Sequence, residues 1–251
     1  MSDSRIGGFF RMSVPDRLQL LTERGFLGEA ERAALLDGTA LLPLSIADRM
    51  IENVIGVFGL PFAVAPNFVV NDKHYVVPMV VEEPSIVAGV SGAAKIFAAN
   101  GGFRVTSTDP LLVGQIQLTG IDEPDRAVQT LYAAESELLE IANGLQPRLV
   151  ARGGGARGIE YFKFRLPDGQ WTVVLHLLVN TCDAMGANIV NTMCEGLGEK
   201  AAQICGGKVR LRILSNLADK ALVRVHGNVA LSALHDDERR AEEIRDAIVM
   251  A

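Results

Sequence analysis

The stretch Trp171-Thr-Val-Val-Leu-His-Leu-Leu-Val179, then Asp183-Ala-Met-Gly-Ala-Asn188 and the run to Cys205, decides how the chain is read. Residues 172–179 are almost continuously apolar, the pattern of a strand covered on both faces. Beyond them Val190, Met193, Cys194, Leu197, Ala201 and Ile204 recur at helical spacing, so a helix with one apolar face follows. The turn between strand and helix carries small residues at Ala184, Gly186 and Ala187, which let a ligand approach the backbone. At a first helical turn the free N–H groups and the helix dipole favour a phosphate. The turn reads either as a pyrophosphate site or as a plain strand-to-helix connection capped by Asp183.

Working outward, Ile159 to Leu166 is a second strand, and Pro167-Asp-Gly169 makes it a hairpin with the first. Before it, Gly153-Gly-Gly155 reads as a flexible turn, with a phosphate cradle as the alternative. Gln115 to Thr119 alternates as a strand, residues 125–143 form a helix with Ala127, Leu131, Ala134, Leu138 and Ile141 on one face, and Val209 to Leu214 is a strand. Residues 110–215 thus run β-α-β-β-α-β, the ferredoxin-like order, and not the βαβαβ of a Rossmann half. No GxGxxG follows a first strand.

The flanks differ in character. Ser13 caps a helix with Pro15 in its first turn, a second helix runs from Glu29 to Asp37, and Ser45 is expected to open a third carrying Met50, Ile51, Val54 and Ile55. Phe62 to Ala65, Phe68 to Val70 and Tyr75 to Val81 form a small antiparallel unit in which Pro78 marks an edge or a bulge. A helix from Ile86 to Ala99 follows; Pro84 fits a first helical position ahead of it, which makes Glu83 the cap-like residue. Strand alternation points Glu82 and Glu83 in opposite directions, so at most one of them faces a cleft. Read blind, the two are solvated acids at a helix start; a general acid is the sharper reading. Ala88, Gly89, Gly92, Ala93 and Ala94 make that helix a close-packing surface or dimer seam. Residues 222–229 and a charged helix from Asp236 to Met250 complete the chain.

With 251 residues, 49% of them hydrophobic, the chain is long enough for one large core or two smaller ones. A net charge of −6 and the lack of a basic tract argue against nucleic acid as a partner. No signal-like start and no run of about 18 apolar residues is present, so a cytoplasmic protein without a membrane span is expected. Cys182, Cys194 and Cys205 form neither an even disulfide framework nor a CxxC pair; they read as buried free thiols, and no metal is expected.

Four separated motifs, in order, carry a resemblance: Glu52-Asn-Val-Ile-Gly56, Val81-Glu-Glu-Pro-Ser85, Asp183-Ala-Met-Gly-Ala-Asn188 and Arg210-Leu-Arg-Ile-Leu-Ser-Asn-Leu-Ala-Asp219. Together they resemble hydroxymethylglutaryl-CoA reductase in its class II bacterial form. The resemblance implies an α+β fold: a large substrate domain, here residues 1–109 and an incomplete 216–251, interrupted by a small ferredoxin-like NAD(P)-binding domain, residues 110–215. It implies a homodimer or an oligomer of dimers, with active sites between subunits. Glu83 matches the family's catalytic glutamate and Ser85 the motif that approaches the hydroxymethylglutaryl group. Arg11 stands where the family contacts the CoA phosphates, and Glu52 and Asn53 fall in the motif for substrate binding and subunit contact. Asp183, Met185, Gly186, Ala187 and Asn188 match the nucleotide motif, and Asn216 an asparagine near the nicotinamide.

The implied reaction takes a thioester through hemithioacetal and aldehyde to an alcohol, interconverting hydroxymethylglutaryl-CoA and mevalonate plus CoA with two nicotinamide cofactors. NAD(H) is the expected preference, with NADP(H) possible. An acid that accepts from the ribose hydroxyls is missing from Asn143-Gly-Leu-Gln-Pro147, Gln146 is the nearest polar candidate, and Arg148 is close enough to meet a 2′-phosphate. The family's catalytic lysine, aspartate and histidine have no counterpart in these residues, so the chain is expected to be the first part of a longer enzyme. The rival from another class is a non-catalytic ferredoxin-like binding or sensor protein.

Overall fold

The computed structural model describes residues 3–81 and 83–251; Glu82, one of the paired acids, lies outside the described residues. In chain order the elements are α1 (Val14–Glu23), α2 (Glu29–Asp37), α3 (Leu44–Ala47), β1 (Phe62–Val70), β2 (Lys73–Val80), α4 (Ile86–Ala99), β3 (Phe103–Ser107), β4 (Leu111–Ile121), α5 (Pro124–Ala133), α6 (Glu135–Gly144), α7 (Pro147–Val150), β5 (Gly155–Arg165), β6 (Trp171–Asn180), α8 (Ala187–Cys205), β7 (Lys208–Leu214), β8 (Val223–Gly227) and α9 (Glu238–Met250). They divide into two compact units, Thr106–Arg224 and the remainder. Among the described residues no helix is long and apolar enough to cross a membrane.

In the unit Thr106–Arg224 the sheet order is β5-β6-β4-β7, and the β5–β6, β6–β4 and β4–β7 pairs are all antiparallel. That is the ferredoxin-like arrangement expected from the element order. The register follows from burial: Val173, Leu175, Leu177 and Val179 are at most 1% exposed and face Leu131, Leu138, Val190, Met193, Cys194 and Leu197 of the helices. The alternate positions Val174, His176 and Leu178 are only half-buried. The continuous apolar run suggested two covered faces; the helices cover one, and the other is an open surface on which Phe162 lies 4.6 Å from His176. Burial pulls the His176 imidazole below its usual range. Leu175→Ala should cost this unit about 2–5 kcal/mol, because the helices cannot collapse into the space left. Phe164→Ala on the open face, where the ring is 52% exposed, should cost under about 1 kcal/mol. Urea unfolding of the two variants compares them.

The single helix expected over 125–143 is broken at Ala134, which has φ −98° and ψ 6°. Neither glycine nor proline stands there; Tyr161 Oη sits at the break, 3.4 Å from Leu131 O and 3.3 Å from Glu135 Oε2, and competes for the carbonyl that would continue the helix. The ends of the unit are fastened to each other. Thr108 N–H donates to Leu222 O at 3.0 Å, Thr108 Oγ1 donates to Lys220 O at 2.7 Å, and Leu222 N–H donates to Thr108 Oγ1 at 2.8 Å.

The remaining unit is built on the sheet β2-β1-β3-β8, with α4 packed on β1. Pro78 lies on the edge strand β2, where its missing N–H is tolerated. Across β1 and β2 the pairs Ala65↔Val77 and Phe68↔Tyr75 leave two residues, Pro66 and Asn67, opposite one, a β-bulge. Ser13 caps α1 as expected, its Oγ accepting from Asp16 N–H. Two expectations fail. The helix after Ser45 stops at Ala47, and Met50, Ile51 and Ile55 are exposed, so no buried face repays its further turns. The helix after the paired acids spans Ile86–Ala99 as expected, but Pro84 is not its first residue and its cap is Ser85, not Glu83.

Candidate functional site

The sheet pairing gathers one set of candidates at one end of the ferredoxin-like unit. Leu111 opposes Asn180 and Gly155 also opposes Asn180, so the start of β4, the start of β5 and the end of β6 share that end. Gly114 opposes Leu214, which brings the end of β7 and the following Ser215-Asn216 there too. The chain leaves β6 through Thr181 and Cys182, and Asp183, Ala184 and Met185 are exposed before α8 begins. Gly186, not Asp183, is the cap of this 19-residue helix, with φ 84°. A Cβ there would fall 2.5 Å from Thr181 Cγ2 and 3.0 Å from Leu112 Cδ1, so the position requires glycine for both conformation and space. The result is a helix entry flanked by exposed residues, Asp183, Ala184 and Met185 before it and Asn188 in its first turn. Ala187 N–H meets only the thioether of Met185, at 3.5 Å, among the hydrogen bonds of the described residues. A phosphate oxygen is a far stronger acceptor than that sulfur.

Asparagine side chains fix the rest of this end. Asn180 Oδ1 accepts from Cys182 N–H at 2.9 Å and holds Cys182 at φ 52°, while Asn191 Oδ1 accepts from Leu214 N–H at 2.8 Å and ties α8 to the end of β7 beside Asn216. Asn143 Oδ1 accepts from Ala156 N–H at 2.8 Å, fastening the end of α6 to β5. Between them Gln146 caps α7 and Arg148 is exposed on it. Gly154 and Gly155 are buried against Leu149, Asn180 and Asn143, so this part of the triplet is a packed crossing and not an open cradle. Cys194, one turn behind Val190 in α8, has its thiol pushed up to about 12 by burial and is a packing residue. These asparagines were not singled out in the sequence; the available signal was their place at element ends, where an amide can satisfy backbone groups.

The candidates in the other unit sit on three segments. Glu83 is exposed in a bend, and Ser85 has φ 71°, a left-handed conformation that costs a serine about 1–3 kcal/mol. Gly89 N–H donates to Ser85 O at 2.8 Å, which fixes the loop to the first turn of α4. Glu52 and Asn53 form an exposed turn with Asn53 at φ 58°. Arg11 ends a short 3-10 helix, Phe9–Arg11, its guanidinium 5.3 Å from the Phe10 ring centre. Among the described residues no hydrogen bond joins these three segments' candidates to one another.

A sequence profile of hydroxymethylglutaryl-coenzyme A reductase matches residues 13–251. The chain belongs to that family. A hydroxymethylglutaryl-coenzyme A reductase of Archaeoglobus fulgidus is 43% identical over 248 residues, 99% of this chain and 55% of that one. A probable reductase of Borreliella burgdorferi is 31% identical over 171 residues, 67% of this chain and 37% of its own length. Among solved structures, the class II reductase of Streptococcus pneumoniae bound to NADPH superposes with a TM-score of 0.90 at 34% identity, covering 96% of this chain and 64% of that one. The chain therefore spans about half the length of the curated reductases it matches, and its fold, with two sheets, is that of the class II reductases.

Proposed function

We propose that the complete protein reduces 3-hydroxy-3-methylglutaryl-CoA to mevalonate and CoA, or runs the reverse reaction, with two equivalents of a nicotinamide cofactor. The observation that carries this reading is the turn at Gly186, where a long helix presents its first N–H groups beside small and exposed side chains. That is a receptor for a pyrophosphate, and the family membership gives the pyrophosphate an owner. The cofactor supplies hydride. Asp183, Met185, Gly186, Ala187 and Asn188 are assigned to its phosphates and Asn216 to the nicotinamide end. In the other unit Glu83 is assigned the proton handed to the substrate oxygen as negative charge builds there. Ser85 and the Glu52-Asn53 turn are assigned to the acyl group and Arg11 to the CoA phosphates. The exposed Ala88, Gly89, Gly92 and Ala93 of α4 support a homodimer, since small residues let a second copy approach.

Absorbance of reduced nicotinamide, followed with hydroxymethylglutaryl-CoA, tests the reading. Two equivalents should be consumed per thioester; consumption of none, as a ligand sensor would give, defeats it. Coenzyme choice is assigned to α7, with Gln146 toward a ribose hydroxyl and Arg148 toward a 2′-phosphate. Arg148→Ala should lower kcat/KM for NADPH at least about tenfold and leave that for NADH within about twofold. A wild-type ratio favouring NADPH would overturn the NAD(H) preference expected from the sequence.

A further inference from the structure

The β-bulge in β1 buries a polar side chain where a strand would normally bury an apolar one. Asn67 is 8% exposed and has φ 77°, and its backbone N–H, Oδ1 and Nδ2 all have partners. Its N–H donates to Ser4 O at 2.9 Å, its Oδ1 accepts from Ile6 N–H at 3.2 Å, and its Nδ2 donates to Ser91 O of α4 at 3.0 Å. Around it the segment Asp3–Ile6 is held along its length. Ser4 is fully buried, with Oγ donating to Phe68 O at 2.9 Å and its N–H donating to His74 Nδ1 at 3.2 Å. Arg24 Nη1 donates to Asp3 O at 2.7 Å and to Arg5 O at 3.1 Å.

One side chain thus joins three segments. Two of them lead to candidate groups: the N-terminal segment reaches Arg11 only five residues after Ile6, and α4 begins at the Ser85 cap less than two turns before Ser91. A bulge residue is free to do this because it has no cross-strand partner to satisfy. Asparagine suits it for two reasons: it tolerates a left-handed backbone better than most residues, and it offers a donor and an acceptor from one amide. Aspartate lacks the donor, and glycine keeps the backbone but lacks both.

We infer that Asn67 is a positioning residue for substrate binding, a clamp that holds the Arg11-bearing N-terminal segment in register with the helix that carries the Glu83-Pro84-Ser85 loop. The inference rests on the reductase reading through Arg11, and the test separates the two. In the complete protein Asn67→Gly should raise KM for hydroxymethylglutaryl-CoA about tenfold while leaving KM for the nicotinamide cofactor within about twofold. Reduction of the free aldehyde, which carries no CoA, should keep its kcat within about threefold. Asn67→Asp, which keeps the acceptor for Ile6 and loses the donor to Ser91, should give a smaller rise in the same direction. Hydrogen exchange at the Ile6 amide, slow in the wild type, should speed up at least about tenfold in Asn67→Gly and much less in Asn67→Asp. Equal increases in KM for thioester and cofactor, or an Ile6 amide that stays protected in Asn67→Gly, would overturn the clamp. A wild type without thioester turnover would remove the reductase reading, and the exchange of Ile6 would still decide whether the clamp exists.

Discussion

Glu83→Gln in the complete protein should lower turnover at least about a hundredfold, the usual scale for losing a positioned acid or base. Glutamine keeps the size and one hydrogen-bonding oxygen but has no proton to give at neutral pH, so KM for the thioester should change little. Two observations motivate this: the Glu-Glu-Pro-Ser motif, and the placement of Glu83 in a loop fixed to α4 by a serine in a strained left-handed conformation. Strain of that kind persists where surrounding structure imposes it, often at working sites. Glu82→Gln should do far less. Steady-state kinetics on both variants decides it, and equal losses would end the assignment of one catalytic carboxylate.

Gly186→Ala should weaken NADPH and NADH binding at least about tenfold and also lower the stability of the ferredoxin-like unit. The added methyl meets Thr181 Cγ2 at 2.5 Å and Cβ at 2.8 Å, contacts that must be relieved by moving the turn. Overpacking costs about 1–3 kcal/mol, and a left-handed φ costs an L-residue about 1–2 kcal/mol more. Calorimetric titration of each cofactor, beside a thermal melt, separates the effects: a lower melting temperature with unchanged cofactor affinity would show that the helix entry is structural only. Gly144→Ala, where nothing stands within 4 Å of the new methyl, is the control and should leave both quantities near their wild-type values.

The ferredoxin-like unit was largely legible in the sequence because its signals are local. The Pro167-Asp-Gly169 turn, the helical spacing from Val190 to Ala201 and the strand patterns each depend on neighbours in the chain, and each appears in the structure. What sequence reasoning missed there depends on remote groups: Tyr161 breaking the helix at Ala134, and helices covering one face of β6 instead of two. The other unit was read less well. Met50, Ile51 and Ile55 have helical spacing but no partner, and pattern alone cannot tell a face that will be buried from one that will not. Of the candidate site, the turn before α8 could be seen because small residues between a strand and a helix mark a tight entry to that helix. The asparagine clamps could not, since an amide reveals its partners only once the backbone around it has folded.

The clasp at Thr108 bears on how such a protein arises. A unit whose first and last residues are bonded to each other occupies one point on the path of the chain that hosts it. Inserting it asks the host to close a gap no longer than an ordinary turn, and the entropy of that closure is nearly independent of the hundred or so residues that lie beyond. The clasp also lets the unit fold without waiting for the segments on either side, so a ribosome can release it as a finished module before the host sheet has received β8. Host and guest are then free to diverge at different rates.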